Sequence, residues 1–138
     1  MYQQNELKAS RQHRELIADV VEVTQHLPQV KCKLVHLFSQ GFYGRALHIP
    51  AGTLVTGKKH KHMHYMALVS GSAQVLEDGI EKSLVGPVST LSKAGAERLV
   101  LTHTDCVFFT LHKTNKTTLA EIEAEVIDTS KEELCLGQ

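Results

Sequence analysis

The chain has 138 residues, 15 basic and 15 acidic side chains, nine histidines and no net formal charge. That length suits one domain with a real hydrophobic core, and the balanced charge excludes the basic excess of a nucleic-acid binder. No run approaches the ~18 uninterrupted apolar residues of a membrane-spanning helix, so no membrane partner is expected. The opening MYQQNELKAS lacks the basic start and apolar run of a signal peptide. Cys32, Cys106 and Cys135 are odd in number and show no CxxC spacing. Free thiols in a reducing, cytoplasmic setting are therefore expected, rather than a disulfide scaffold or zinc ribbon.

Residues 4–27 are expected to form a helix, because Leu7, Leu16, Ile17, Val20, Val21 and Val23 recur at roughly helical spacing between charged residues. Pro28 ends it, and residues 1–29 are taken as an N-terminal helix packing on the rest of the domain. From about residue 30 the segments shorten, become rich in Val, Leu, Thr and Phe, and are separated by glycine. Strands are expected over 31–38, 42–49, 53–56, 63–69, 72–77, 80–85, 88–92, 97–103 and 106–112. Asp78-Gly79 is a hairpin signal, since glycine accepts the positive φ that the turn needs. A second helix is expected over Thr117–Val126, opened by the capping box of Thr118 and Glu121 and striped by Leu119, Ile122 and Val126. The last dozen residues are polar and expected to fray, leaving 129–138 as a tail. Many short strands with regular turns define an all-β sandwich or barrel, here one domain with its barrel and closing helix over 30–128.

The histidines carry the chemistry. In Lys59-His60-Lys61-His62-Met63-His64 three imidazoles alternate. If the segment is extended, all three share one face. Neutral imidazole is a common ligand for Zn, Fe, Ni and Cu, and three on a concave face converge on one ion when a second strand closes the site. His103 and His112, each near the end of an expected strand, are the candidates for closing it. The competing reading is a solvated ribbon, favoured on one side by Lys58, Lys59 and Lys61. His13 and His26 are read as surface residues of the first helix; His36 and His48 lie on strands whose facing is open. Cys106 begins an apolar strand and is read as core, and Glu77-Asp78 as a turn. Because imidazole must be neutral to ligate, metal affinity is expected to fall below about pH 6.

The chain resembles the cupin superfamily, small two-sheet β-barrels (double-stranded β-helices) with two glycine-bounded motifs that supply histidine and glutamate metal ligands. The first motif resembles Gly57–Gly71 and the second Gly86–Arg98. More narrowly, GFYGRALHIPAGTLVTGKKHKHMH, GPVSTLSKAGAERLVLTH, DCVFFTLH and the trailing TTLAEIEAEVID are similar to small cupin proteins carried by phages and prophages, which implies a host-cytoplasmic protein. Counting back from Gly71, the motif glutamate falls on His64, its second histidine on His60 and its first on Lys58; the second motif's histidine falls on Arg98. Counting forward from His60 and His62 instead, the glutamate falls on Met66 or Ala67. The three-histidine, one-glutamate site is thus not intact. The resemblance implies either an all-imidazole site of His60, His62 and His64 with His103, or a pocket in which Arg98 pairs with an anion.

Three functions are expected. A divalent transition metal (Zn, Fe, Ni or Mn) on the histidines would serve a small-molecule reaction, with Tyr43, Arg45, Arg98 and His112 around the ligand. Alternatively, the barrel sequesters a small anion, such as a nucleotide or sugar phosphate, without catalysis. The last is a dimeric scaffold, a homodimer being the assembly that cupin barrels adopt through their sheets. No GxSxG elbow, phosphate loop or dinucleotide fingerprint is present, and whether the chain is an enzyme is left open.

Overall fold

In the computed structural model, residues 11–12, 15–16, 18–20, 22, 26–57, 59–127 and the backbone of 134–137 are described. The described residues from Arg11 to Glu22 are helical, and His26 and Leu27 already lie in a turn and bend. The rest of the expected first helix lies outside the described residues.

Strands follow at β1 (Lys33–Ser39), β2 (Phe42–Ile49), β3 (Thr53–Thr56), β4 (His64–Ser70), β5 (Ser72–Glu77), β6 (Ile80–Val85), β7 (Val88–Ser92), β8 (Arg98–Thr102) and β9 (Cys106–Lys113). Helix α1 (Leu119–Val126) and a last strand, β10 (Leu134–Gly137), complete the chain. They form two five-stranded sheets, β1-β2-β9-β4-β7 and β10-β3-β8-β5-β6, with antiparallel pairing throughout. The expected all-β barrel is therefore the observed fold, with strand bounds within two residues of expectation. One correction concerns the end of the chain: Leu134–Gly137 pairs with β3 as an edge strand instead of fraying.

Turn chemistry fixes the register. Asp78 and Gly79 both have positive φ, 50° and 78°, as a tight hairpin between β5 and β6 requires. Gly71 sits at φ 97°, where an added Cβ would lie 2.3 Å from the Asp105 carbonyl oxygen and 2.8 Å from Cys106 Sγ. Only glycine fits there, and it pins the end of β4 against the start of β9.

Because alternate residues point inward, the inner face is read from the pairing. On the first sheet Leu47 lies opposite Phe108, Arg45 opposite Thr110, and Tyr43 opposite His112. On the second, Val55 and Val75 flank Val100, while Glu77 lies opposite Arg98. One half of the barrel is an apolar core of Ile49, Val55, Met66, Leu68, Ala73, Val75, Val100, Cys106 and Phe108. Cys106 is core, as its sequence context indicates. At the other half the inward positions turn polar. That end is covered by α1, whose Ile122, Val126 and the following Ile127 pack on Tyr43. Thr118 caps the helix by accepting a hydrogen bond from Glu121 N–H at 3.3 Å.

Candidate metal centre

Strands β4 and β9 and the segment before β4 bring three histidines together under α1. His64 opens β4 and His112 lies near the end of β9. His60 is clamped by its backbone: it bridges to Ile127, and its carbonyl accepts from Gly95 N–H at 2.8 Å. All three side chains are buried, and their ligand atoms lie within 4.8 Å of one another. Ring centroids stand 4.1 Å apart for His60 and His64, 5.0 Å for His60 and His112, and 4.8 Å for His64 and His112. Nitrogens that share an ion at the usual ~2.0–2.1 Å are roughly 3–4 Å apart, so small side-chain rotations bring the trio onto one centre.

The hydrogen bonds point the same way. His64 Nδ1 lies 3.3 Å from the His62 carbonyl oxygen, so that nitrogen carries the proton. Its Nε2 keeps the lone pair, and this atom is buried without a hydrogen-bond partner. An imidazole oriented through one nitrogen by a backbone carbonyl, with the other nitrogen open, is the usual arrangement of a metal-ligating histidine. His112 Nε2 is 3.1 Å from the Thr110 hydroxyl, which leaves Nδ1 for a ligand when the proton resides on Nε2.

Burial keeps the trio neutral. Removal from water is the largest cause for each ring and lowers His64 and His112 to about 4 and His60 to about 2. The mutual repulsion of the rings adds to this at His60 and His112, and the guanidinium of Arg98 adds to it at all three. The sequence-based expectation of metal loss below about pH 6 assumes ordinary imidazoles. These buried rings remain unprotonated well below that point.

The sequence expectations for individual residues divide. His62 is exposed and lies outside the trio. The alternation that would place it inward fails because residues 61–63 bend, with Lys61 N–H bonded to Val126 O at 2.9 Å. His103 is also exposed, its Nε2 3.3 Å from Gln74 Oε1. It follows the far end of β8 from Arg98, roughly 17 Å along an extended strand of that length, and cannot join His60. His112, expected with His103 as a candidate for closing the site and otherwise as a ligand contact, is the third member. Tyr43 points inward at the mouth but does not line the cavity below; its hydroxyl meets His36 Nδ1 at 2.5 Å and its ring stacks on His112. Arg45 and Arg98 both line that cavity. Glu77, read from sequence as a turn residue, has its carboxylate 3.3 Å from Arg98 Nε.

Cavities border the trio on two sides. Outside it, a cleft of about 440 Å³ between residues 62–63 and α1 is lined by His62, Met63, His112, Asn115 and Glu125. Inside it, a cavity of about 70 Å³ lies beneath His60.

No protein-family model matches the chain, and no curated protein matches it. Solved structures do. Ectoine synthase from P. lautus is similar over 78% of this chain and 81% of its own, with TM-score 0.57 and 12% identity. An RmlC-like cupin from Shewanella frigidimarina is similar over 64% and 85%, with TM-score 0.52 and 16% identity. The Cnp3 cupin domain of Schizosaccharomyces pombe is similar over 65% and 66%, with TM-score 0.53 and 11% identity. The fold is thus the cupin β-barrel. Within that fold, three buried histidines form a group able to hold a metal ion.

Proposed function

We propose that this cupin-fold protein binds one divalent transition metal on His60, His64 and His112 and presents it to a small molecule entering past α1. The observation that carries the reading is the buried, unpartnered Nε2 of His64 within ligand distance of two other buried imidazoles. Three imidazole nitrogens suit Zn, Fe or Ni, with Mn the least favoured of the ions expected from the sequence. A bound ion there supplies Lewis acidity or lowers the pKa of bound water. The chain's own residues do the rest: α1 limits water, the His62 carbonyl orients His64, and Arg45 and Arg98 set a positive field for an anionic group. The ectoine synthase neighbour, an enzyme by its name, supports small-molecule chemistry in such a barrel; its substrate is not carried over to this chain.

Free thiols at Cys32 and Cys106 support a reducing, cytoplasmic compartment. The phage association rests on the sequence phrases alone. The expected homodimer is supported by the outer face of the first sheet, where Leu37, Gly44, Leu111, Tyr65 and Leu91 form one apolar row across five strands, and Leu37, Tyr65 and Leu91 are exposed. A monomer by light scattering would remove the dimer and leave the metal reading untouched. Elemental analysis of protein purified without an affinity tag tests the metal directly: near-stoichiometric metal is expected, and its absence after reconstitution would refute the reading.

A further inference from the structure

Beneath the histidines the cavity changes character within two rows of side chains. Arg45, Arg98, Thr110 and, in the same row, Met66 line its upper part, and Leu47, Val100 and Phe108 are among the apolar residues below. Arg98 is the unusual member. Its side chain is 11% exposed, Nη2 is buried with no hydrogen-bond partner, and Nε approaches the Glu77 carboxylate at 3.3 Å without hydrogen-bond alignment. A buried guanidinium with unpartnered N–H groups beside a cavity can receive a planar anion, because its fork matches a carboxylate in two parallel hydrogen bonds. The charged residues lining the cavity, Arg45 and Arg98, are both positive.

We propose that this cavity is a subsite for a short-chain monocarboxylate, held by its carboxylate on Arg98 and by its alkyl tail on Met66, Val100 and Phe108. Size and polarity select the class. At roughly 10–15 Å³ per water-sized group, the ≈ 70 Å³ holds about five to seven non-hydrogen atoms. That is a carboxylate with a tail of about two to four carbons. A nucleotide is several times too large for this cavity. A sugar phosphate would set hydroxyls against an apolar floor that offers them no partner. The inference deepens the anionic small-molecule part of the proposed function and rests on it, but not on metal binding, since the subsite is built from side chains other than the histidine trio.

The test is calorimetric titration of the full chain, stripped of metal by chelation and, in parallel, after reloading. The probes are acetate, propionate, butyrate, valerate, octanoate, butan-1-ol, butylamine and inorganic phosphate. Saturable binding is expected for butyrate, with affinity rising about fourfold per methylene from acetate to butyrate and falling again at octanoate. Butan-1-ol and butylamine are expected not to bind. Arg98→Lys keeps a charge against Glu77 but loses the planar fork, and is expected to bind butyrate at least about tenfold more weakly. An affinity independent of chain length, phosphate binding tighter than butyrate, or wild-type affinity in Arg98→Lys would each overturn the proposal. Should Arg98→Lys not fold, the chain-length series on the unaltered protein decides alone. Because the stripped protein is titrated separately, failure of the metal site and failure of the carboxylate subsite are told apart.

Discussion

The two ends of the barrel are built from the same strands and obey opposite rules. At the closed end the buried hydroxyl of Thr102 is fully used: it donates to Pro50 O at 2.6 Å and accepts from Thr53 N–H at 2.9 Å. Leu68 there is fully buried and Gly71 leaves no room for a methyl group. At the open end His64 Nε2, Ser92 Oγ and Arg98 Nη2 are buried without partners. Interiors normally satisfy such groups. Among the described residues these unsatisfied atoms gather at one end, the pattern expected where stability is given up for binding.

The contrast predicts that mutations at the two ends diverge in kind. The largest expected effect is on metal content: His60→Ala, His64→Leu or His112→Ala should each weaken metal binding by more than the roughly 10–100-fold that losing an outer partner of a ligand costs. Equilibrium dialysis against a competing chelator reads this. Leu68→Ala at the closed end should cost about 2–5 kcal/mol in chemical denaturation while leaving the metal affinity of the folded fraction unchanged. A matching loss of metal in Leu68→Ala would erase the distinction between the ends.

Acid sharpens it further. An unfolded chain takes up a proton at each histidine near 6.5, whereas the folded trio stays neutral until about 4 at His64 and His112 and about 2 at His60. Below pH 6.5 the unfolded state therefore binds more protons, so the stability of the metal-free protein falls as pH falls. The slope is roughly 1.4 kcal/mol per pH unit for each buried histidine, and their contribution is level above about pH 7. Urea titrations from about pH 7.5 to about 5 should show the decline and His64→Leu should make it shallower; parallel curves would contradict the burial account. In metal-free protein His64→Leu should also raise stability by about 1 kcal/mol, since it removes an unpartnered buried nitrogen. The smallest effect is expected from Thr118→Ala, about 1 kcal/mol at the cap of α1, with faster metal exchange because the helix covers the trio.

Much of this is legible in the sequence. The strands are, because alternation and glycine punctuation are local signals. Inward positions on β9 follow from the buried Cys106: Phe108, Thr110 and His112 share its face, and that signal is enough to promote His112 to a ligand. His60 and His64 emerge from counting back from Gly71, whose positive φ fixes the register. The rest needs tertiary information. Local alternation misplaces His62 because the bend at residues 61–63 is held by Val126, more than sixty residues away. His103 looks like a site residue only until β8 is seen to carry it to the closed end. Glu77 acquires its partner only through the β5–β8 pairing. β10 is short, and only its pairing with β3 makes it a strand.

A metal centre built on the trio at the open end is tested most directly by metal content. The measurement is mass spectrometry on untagged wild-type and His64→Leu proteins, each reconstituted, dialysed and shown folded by thermal melting. The predicted result is about one transition-metal ion per wild-type chain and almost none in the variant. Equal content in the two proteins, whether both loaded or both empty, would contradict it.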